Sequence, residues 1–200
     1  MMNTATANQN LNPSRPPLVK GGVEQLSEHF TLGELVESDT ALRMGIDNTP
    51  PHEVVENLRR TAALGETIRA ALSNEARREV FIVALSGYRC EALEKMIAWR
   101  DYLSWCTRHE YEMDDAAWRM YFRNKGHPKG RCLDFRARRF GSPAEIVQFI
   151  AAQPEIMAHI DQIIAEGTWV HVSWSIAPRH EVMTAAFDVN GVPTYTMGVA

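Results

Sequence analysis

Apolar and polar side chains alternate along Trp169-Val170-His171-Val172-Ser173, and this pattern predicts a β-strand. Successive side chains of a strand point to opposite faces, so Val170 and Val172 share one face. Trp169, His171 and Ser173 share the other face. A face that carries an imidazole, backed by an apolar face, indicates a half-buried strand that lines a cleft.

Cys132-Leu133-Asp134-Phe135-Arg136-Ala137 shows the same alternation, directly after a glycine-flanked loop over residues 124–130. It predicts a second strand, with Cys132 and Asp134 on one face. Asp134 lies seven residues after His127, the histidine of that loop. Cys132 either lines the same site or packs as a small apolar residue, and we favour packing.

The remaining patterns predict helices in the first half of the chain and short strands in the second half. Caps and apolar spacing predict the helices, and β-branched runs and turn residues predict the strands. The predicted helices begin at Thr31 and cover Val54–Leu72, residues 91–123 and Pro143–Ile150; the predicted strands are a buried strand Val80–Leu85, then Cys132–Ala137, Ile160–Ala165, Trp169–Ile176, Val182–Val189 and Pro193–Met197. This order predicts an α+β fold in which helices pack on a small, mainly antiparallel sheet.

Composition excludes several classes of protein. The 200 residues include 21 Lys plus Arg and 25 Asp plus Glu, a net charge of −4, which argues against a nucleic-acid partner bound through bulk charge. No apolar run is long enough for a membrane span, and the first residues do not predict a secretory signal. The three cysteines predict reduced thiols. We expect a flexible or docking tail over residues 1–27 and one domain over residues 28–200.

His127, Asp134 and His171 form a candidate metal-ligand set. Two imidazoles and one carboxylate suit zinc and leave a fourth position for water, whose pKa zinc would lower. Glu166, five residues before His171, is the nearest candidate general base. The alternative is that both histidines are hydrogen-bonded structural residues.

Several segments, in order from residue 29 to about residue 198, resemble zinc peptidases related to D-alanyl-D-alanine carboxypeptidases, which have a hedgehog-type fold. Residues 126–134, GHPKGRCLD, are similar to the SxHxxGxAxD motif of this family, and residues 169–173 are similar to its WVHVS segment. Further similar segments are HFTLGEL at 29–35, GIDNTPP at 45–51 and SGYR at 86–89.

The resemblance implies Zn²⁺ on His127, Asp134 and His171, and Arg89 in the active site against a substrate carbonyl or carboxylate. Ser86, Tyr88 and Trp169 are further candidate substrate-binding residues, and Ser86 alternatively supports the loop of Arg89 or the metal site. Three positions depart from the family pattern: Lys125 replaces a serine, Cys132 replaces an alanine, and Thr168 stands where many relatives carry an acidic base. Glu166 is our substitute for that base.

The segment from about residue 95 to residue 124 is an aromatic-rich insertion relative to the phage and bacterial branch of this family. Its large rings are Trp99, Tyr102, Trp105, Tyr111, Trp118, Tyr121 and Phe122. It forms either a lid or partner surface, or a helical hairpin that buries its own rings, and aromatic spacing favours the hairpin.

Two functions follow as expectations. The first is a zinc metallopeptidase that hydrolyses peptidoglycan stem or cross-link peptides, encoded by a phage as an endolysin or a virion-associated enzyme. It would reside in the host cytoplasm before release, or in the virion, and act on the cell wall. The alternative is a weakly active or inactive relative that serves as a structural or binding component of a phage particle, with partners bound by the tail or the insertion.

Overall fold

A computed structural model describes residues 24–199. The helices are α1 (Leu32–Val36), α2 (Asp39–Met44), α3 (His52–Ala76), α4 (Glu91–Ile97), α5 (Trp99–His109), α6 (Asp115–Phe122), α7 (Pro143–Ala151) and α8 (Pro154–Met157), with a short 3₁₀ turn at His127–Lys129. The strands are β1 (Phe81–Ser86), β2 (Cys132–Arg138), β3 (Gln162–Glu166), β4 (Trp169–Ser173), β5 (Glu181–Phe187) and β6 (Pro193–Met197).

The strands form one sheet in the order β1-β2-β4-β3-β5-β6. Every neighbouring pair is antiparallel except β3 and β5, which run parallel. The predicted α+β fold with a mainly antiparallel sheet is therefore confirmed.

The registers of the central strands determine which side chains share a face. Asp134 on β2 lies opposite His171 on β4, and Cys132 lies opposite Ser173. On the other side of β4, Ile164 of β3 lies opposite His171. Directly paired residues point to the same face, so these polar groups line one side of the sheet.

The opposite face of the sheet is apolar and is covered by α3 and α7. Leu133, Phe135, Val170 and Val172 are buried there in the main hydrophobic core, as their alternation predicts. The helices contribute Leu58, Ile68 and Leu72 from α3, and Ile146 and Ile150 from α7. Packing on one face leaves the polar face free to carry a site.

Helix starts follow the predicted local signals. Thr31 and Glu34 form a reciprocal capping box at the start of α1. Ser142 and Glu145 do the same for α7, where Pro143 occupies the first turn. The β3–β4 hairpin turns at Gly167, whose positive φ of 57° suits glycine.

One strand is less buried than the sequence predicts. The run Val80–Leu85 predicts a buried strand, but β1 lies at the edge of the sheet and pairs only with β2 among the described strands. Phe81 is 43% exposed and Leu85 is 39% exposed. An apolar run alone does not distinguish a central strand from an edge strand, because pairing partners are not encoded in it.

The aromatic-rich insertion folds into α4, α5 and α6, and α5 and α6 enclose a second hydrophobic cluster. Its buried members are Ala98, Tyr102, Cys106, Ala117, Trp118 and Tyr121. The predicted helical hairpin that buries its own rings is therefore present. Trp99 and Tyr111 remain exposed.

The predicted tail falls mostly outside the described residues, which begin at Glu24. Residues 24–27, also assigned to the tail, contact the domain: Gln25 bridges to Thr31, and the Ser27 hydroxyl donates to Glu66 at 2.8 Å. Among residues 24–199, every helix is too short or too polar to cross a bilayer.

Candidate metal centre

His127, Asp134 and His171 come together on the polar face of the sheet. The 3₁₀ turn supplies His127, β2 supplies Asp134 and β4 supplies His171. One carboxylate oxygen of Asp134 lies 3.3 Å from Nε2 of His127, and the other lies 2.8 Å from Nδ1 of His171. The structure therefore brings together the three ligands that the sequence predicts.

Cys132 belongs to the same cluster. Ligand atoms of His127, Cys132 and His171 all lie within 4.8 Å of one another, a grouping that could hold a metal ion. The spacing of Cys132 from Asp134 leaves two roles open in the sequence, lining the site or packing, of which packing is favoured. The structure places the thiol beside the two imidazoles.

Two glycines determine the path of the loop that carries His127 into β2. A Cβ added at Gly126 would lie 2.2 Å from Sγ of Cys132, so the loop requires glycine there. Gly130 closes the turn at a φ of 64°, and its carbonyl accepts a hydrogen bond of 2.7 Å from the Thr61 hydroxyl on α3. These contacts fix the loop to the helix layer.

The His127 ring is oriented by the backbone. Its Nδ1 lies 3.1 Å from the carbonyl oxygen of Gly87, the residue after β1. An Nδ1–H that donates to this oxygen leaves the Nε2 lone pair free, and Nε2 is the atom that faces Asp134. This is the usual way in which a metal-binding histidine is held.

Arg89 connects the cluster to two further elements. Its Nη2 donates to a carboxylate oxygen of Asp134, and its Nε donates to the Ser86 hydroxyl at 2.9 Å. Nη1 lies 3.6 Å from the buried carboxylate of Glu94 on α4. Ser86 thus holds Arg89, and Glu94 is a neighbour that the sequence did not identify.

Tyr88 and Trp169, the other predicted substrate-binding residues, occupy different places. The Tyr88 side chain packs in the main hydrophobic core and is absent from the lining of the cavity over the site. Trp169 lines that cavity on β4, directly opposite Glu166 on β3.

The charged groups of the cluster shift one another's pKa values. Burial raises the pKa of the Asp134 carboxyl, but the charges of His127 and Arg89 outweigh it and hold that pKa well below its usual range. Burial lowers the pKa of His127 and Arg89 lowers it further, while the neighbouring Asp134 carboxylate acts in the opposite direction. For His171, burial is outweighed by Cys132 and Asp134, which raise its pKa, so a bound cation would displace the proton of His171.

A cavity of about 1090 Å³ lies over the cluster, between the polar face of the sheet and the insertion. The insertion contributes Trp99, Asp101, Trp105, Arg108 and Tyr121 to its wall. Arg100 of α5 donates to the carbonyl of Asn190 in the β5–β6 turn, which joins this wall to the sheet.

Lys125 attaches the insertion to the loop that carries His127. Its ammonium group lies 2.9 Å from an Asp101 carboxylate oxygen and 4.1 Å from the centre of the Tyr121 ring. The Tyr121 hydroxyl donates to the same carboxylate at 2.5 Å. The residue two before His127 therefore contacts the insertion.

Glu166 lines the cavity at the end of β3, opposite Trp169 on β4 and Ala185 on β5. Burial raises the pKa of its carboxyl; the Asp134 charge raises it further, although His171 acts in the opposite direction. Tyr195 of β6 lies opposite Ala185, so Glu166 and Tyr195 flank one alanine on the same face.

Sequence reasoning missed Tyr195, a cavity residue whose pKa is raised by burial and then by the Glu166 charge. Its hydroxyl therefore remains a hydrogen-bond donor. The placement depends on the parallel pairing of β3 with β5, for which the sequence carries no local signal.

Comparisons of this chain with protein families, curated proteins and solved structures found no match. The function of the site is therefore inferred from its own residues and from the motifs described above.

Proposed function

We propose that this chain is a zinc-dependent metallopeptidase that hydrolyses peptidoglycan stem or cross-link peptides. The observation that carries the proposal is the convergence of His127, Asp134 and His171 beside Arg89, beneath a cavity that also contains Glu166. The resemblance of the two histidine segments to those of zinc peptidases supports the substrate class. On the same resemblance we propose a phage-encoded enzyme, an endolysin or a virion-associated protein.

The donor set fits zinc. Zinc in proteins accepts imidazole nitrogen, carboxylate oxygen and thiolate sulfur. The two imidazoles and the Cys132 thiol form a group that could hold a metal, and the Asp134 carboxylate contacts both imidazoles. A zinc ion held by these residues would supply a Lewis acid that polarises the scissile carbonyl and lowers the pKa of water.

Glu166 is the proton carrier in the proposed reaction. Its carboxylate accepts a proton from the attacking water and then passes that proton to the leaving amine nitrogen. A pKa above the usual glutamate range suits both transfers, because the same group must first bind a proton and then release it.

Arg89 binds the substrate oxygen in this proposal. A guanidinium has five N–H donors, and Ser86, Asp134 and Glu94 do not use all of them. The remaining N–H groups stabilise negative charge that develops on the carbonyl oxygen. Tyr195 also lines the cavity, and because its pKa is raised, its hydroxyl keeps its proton and can donate a further hydrogen bond.

The second candidate function is a structural or binding component of a phage particle. The observation that favours it is that both oxygens of Asp134 already contact protein groups, Arg89 among them. The exposed rings of Trp99 and Tyr111 would then form a partner surface.

Digestion of purified muropeptides tests the proposal. The zinc-loaded protein is incubated with monomeric and cross-linked muropeptides, and products are identified by mass spectrometry. We expect a new product with the wild type and with His159→Ala, a control at an exposed histidine that does not line the cavity. His127→Ala should give none.

The product mass would identify the bond that is cut. Absence of any product from a wild-type protein with zinc confirmed bound would contradict the peptidase and favour the binding component. Product formation that persists in His127→Ala would contradict the metal centre.

A further inference from the structure

We infer that Cys132 is a sulfur ligand of the metal, alongside His127 and His171. The inference rests on the proposed zinc centre and adds a ligand to it. Ligand atoms of the three residues lie within 4.8 Å of one another. Zinc–ligand bonds of about 2.0–2.3 Å place tetrahedral ligands about 3.5 Å apart, so small side-chain adjustments suffice.

The backbone determines the position of Cys132. Asp134 lies two residues further along β2, so both side chains point to the polar face. Asp134 lies directly opposite His171, and Cys132 lies opposite Ser173, the next residue on the same face of β4. The carboxylate therefore lies directly opposite His171 and the thiol lies diagonally from it, both on the polar face.

The surroundings of Cys132 differ from those of the other two cysteines. Cys106 is buried within the apolar cluster of the insertion, and Cys90 packs against the main core. Cys132 is 2% exposed, yet it belongs to neither hydrophobic cluster of the described residues. Beside it lies the buried Ser173 hydroxyl, for which the described chain offers no hydrogen-bond partner.

A buried thiol beside two imidazoles can bind a metal ion, a role that goes beyond packing as a small apolar residue. The thiolate is the form that binds metals, and it favours zinc and other soft cations over magnesium or calcium. With Asp134, the chain offers four groups: two nitrogens, one oxygen and one sulfur. Four protein ligands close a tetrahedral zinc site, so cleavage would need a fifth position or the release of one ligand.

X-ray absorption spectroscopy of the zinc-loaded full chain tests this inference without relying on activity. We expect a sulfur shell at about 2.3 Å in addition to nitrogen and oxygen at about 2.0–2.1 Å. Cys132→Ala should lose the sulfur shell and bind zinc more weakly. Cys106→Ala is the matched control, because it removes a buried thiol from an apolar cluster, and it should keep the shell.

Cobalt substitution of the wild type gives a second readout that does not depend on whether a variant folds. A thiolate-to-cobalt charge-transfer band in the near ultraviolet is expected, and its absence would overturn the inference. A wild-type zinc spectrum with nitrogen and oxygen ligands alone would also overturn it.

The sulfur ligand and the peptidase activity can be rejected independently of each other. Muropeptide cleavage by a protein without a sulfur shell would reject the thiolate ligand and keep the peptidase. A sulfur shell in a protein that cleaves no muropeptide would keep the ligand and reject the peptidase.

Discussion

The carboxylate of Asp134 contacts three side chains that come from different parts of the chain. Arg89 follows β1, His127 lies in the 3₁₀ turn, and His171 lies on β4. A buried carboxylate needs such partners, because an unpaired buried charge is costly. Removing any partner therefore changes the electrostatic environment of the remaining groups.

Glu166→Gln should strongly reduce the proposed peptidase activity while leaving zinc content unchanged. The substitution keeps the size of the side chain but removes the proton acceptor, so we expect kcat/KM to fall by about 10²–10⁴-fold. Glu155→Gln, at an exposed glutamate on α8, is the matched control. Steady-state kinetics with metal analysis measures both.

The pH profile of the wild type gives an independent check on Glu166. The ionised form accepts the proton, so kcat/KM rises with pH as Glu166 loses its own proton. Because burial raises the pKa of Glu166, this rise should occur above the usual glutamate value of about 4.3. If the remaining activity of Glu166→Gln rises over the same pH range as that of the wild type, the rise is due to a group other than Glu166.

At the scale of elements, much of the site follows from local patterns in β2 and β4. Alternation alone places Asp134 and His171 on polar faces, and the hairpin turn at Gly167 makes β3 the neighbour of β4. The position of Tyr195 could not be predicted, because it depends on the parallel β3–β5 pair between strands that are not consecutive. Periodicity reports which face a residue occupies, but it does not report which strand lies beside it.

Tyr102→Ala should unfold the insertion without unfolding the sheet. The Tyr102 ring is 2% exposed and lies 5.3 Å from Trp118 and 5.4 Å from Tyr121, measured between ring centres. Replacing a buried aromatic residue by alanine lowers the free energy of unfolding by about 3–5 kcal/mol. We expect this loss to exceed the stability of a cluster as small as that of the insertion.

Hydrogen exchange measured by mass spectrometry reports this change by element. We expect α5 and α6 to lose amide protection while β2 and β4 retain it. Met113→Ala, at a residue that is 65% exposed between the same helices, should change neither. A uniform loss of protection across the insertion and the sheet would contradict the separation of the two clusters.

At the scale of the whole molecule, the cluster links the 3₁₀ turn, β2, β4 and the loop after β1. Because unfolding separates the ligands, a metal that binds the folded chain raises the free energy of unfolding. The raised pKa of His171 adds a pH dependence, because the metal competes with a proton and the protonated fraction of His171 increases as the pH falls.

Zinc removal should therefore destabilise the protein. At a free zinc concentration 100 times Kd, the linkage amounts to about 2.7 kcal/mol, and a chelator should abolish it. Urea unfolding with and without chelator measures the difference, which should shrink at lower pH. His127→Ala should unfold at the same urea concentration with or without chelator; a chelator effect of wild-type size in that variant would place the metal elsewhere.

The separation of the two hydrophobic clusters has a consequence for how this chain can change over evolutionary time. Within the described residues, polar contacts such as Lys125–Asp101 and Arg100–Asn190 join the insertion to the rest of the fold. Substitutions that reshape the insertion therefore leave the packing behind the sheet unaltered. The wall that the insertion adds to the cavity is therefore a part of the chain that evolution or protein engineering can vary while the core behind the sheet keeps its packing.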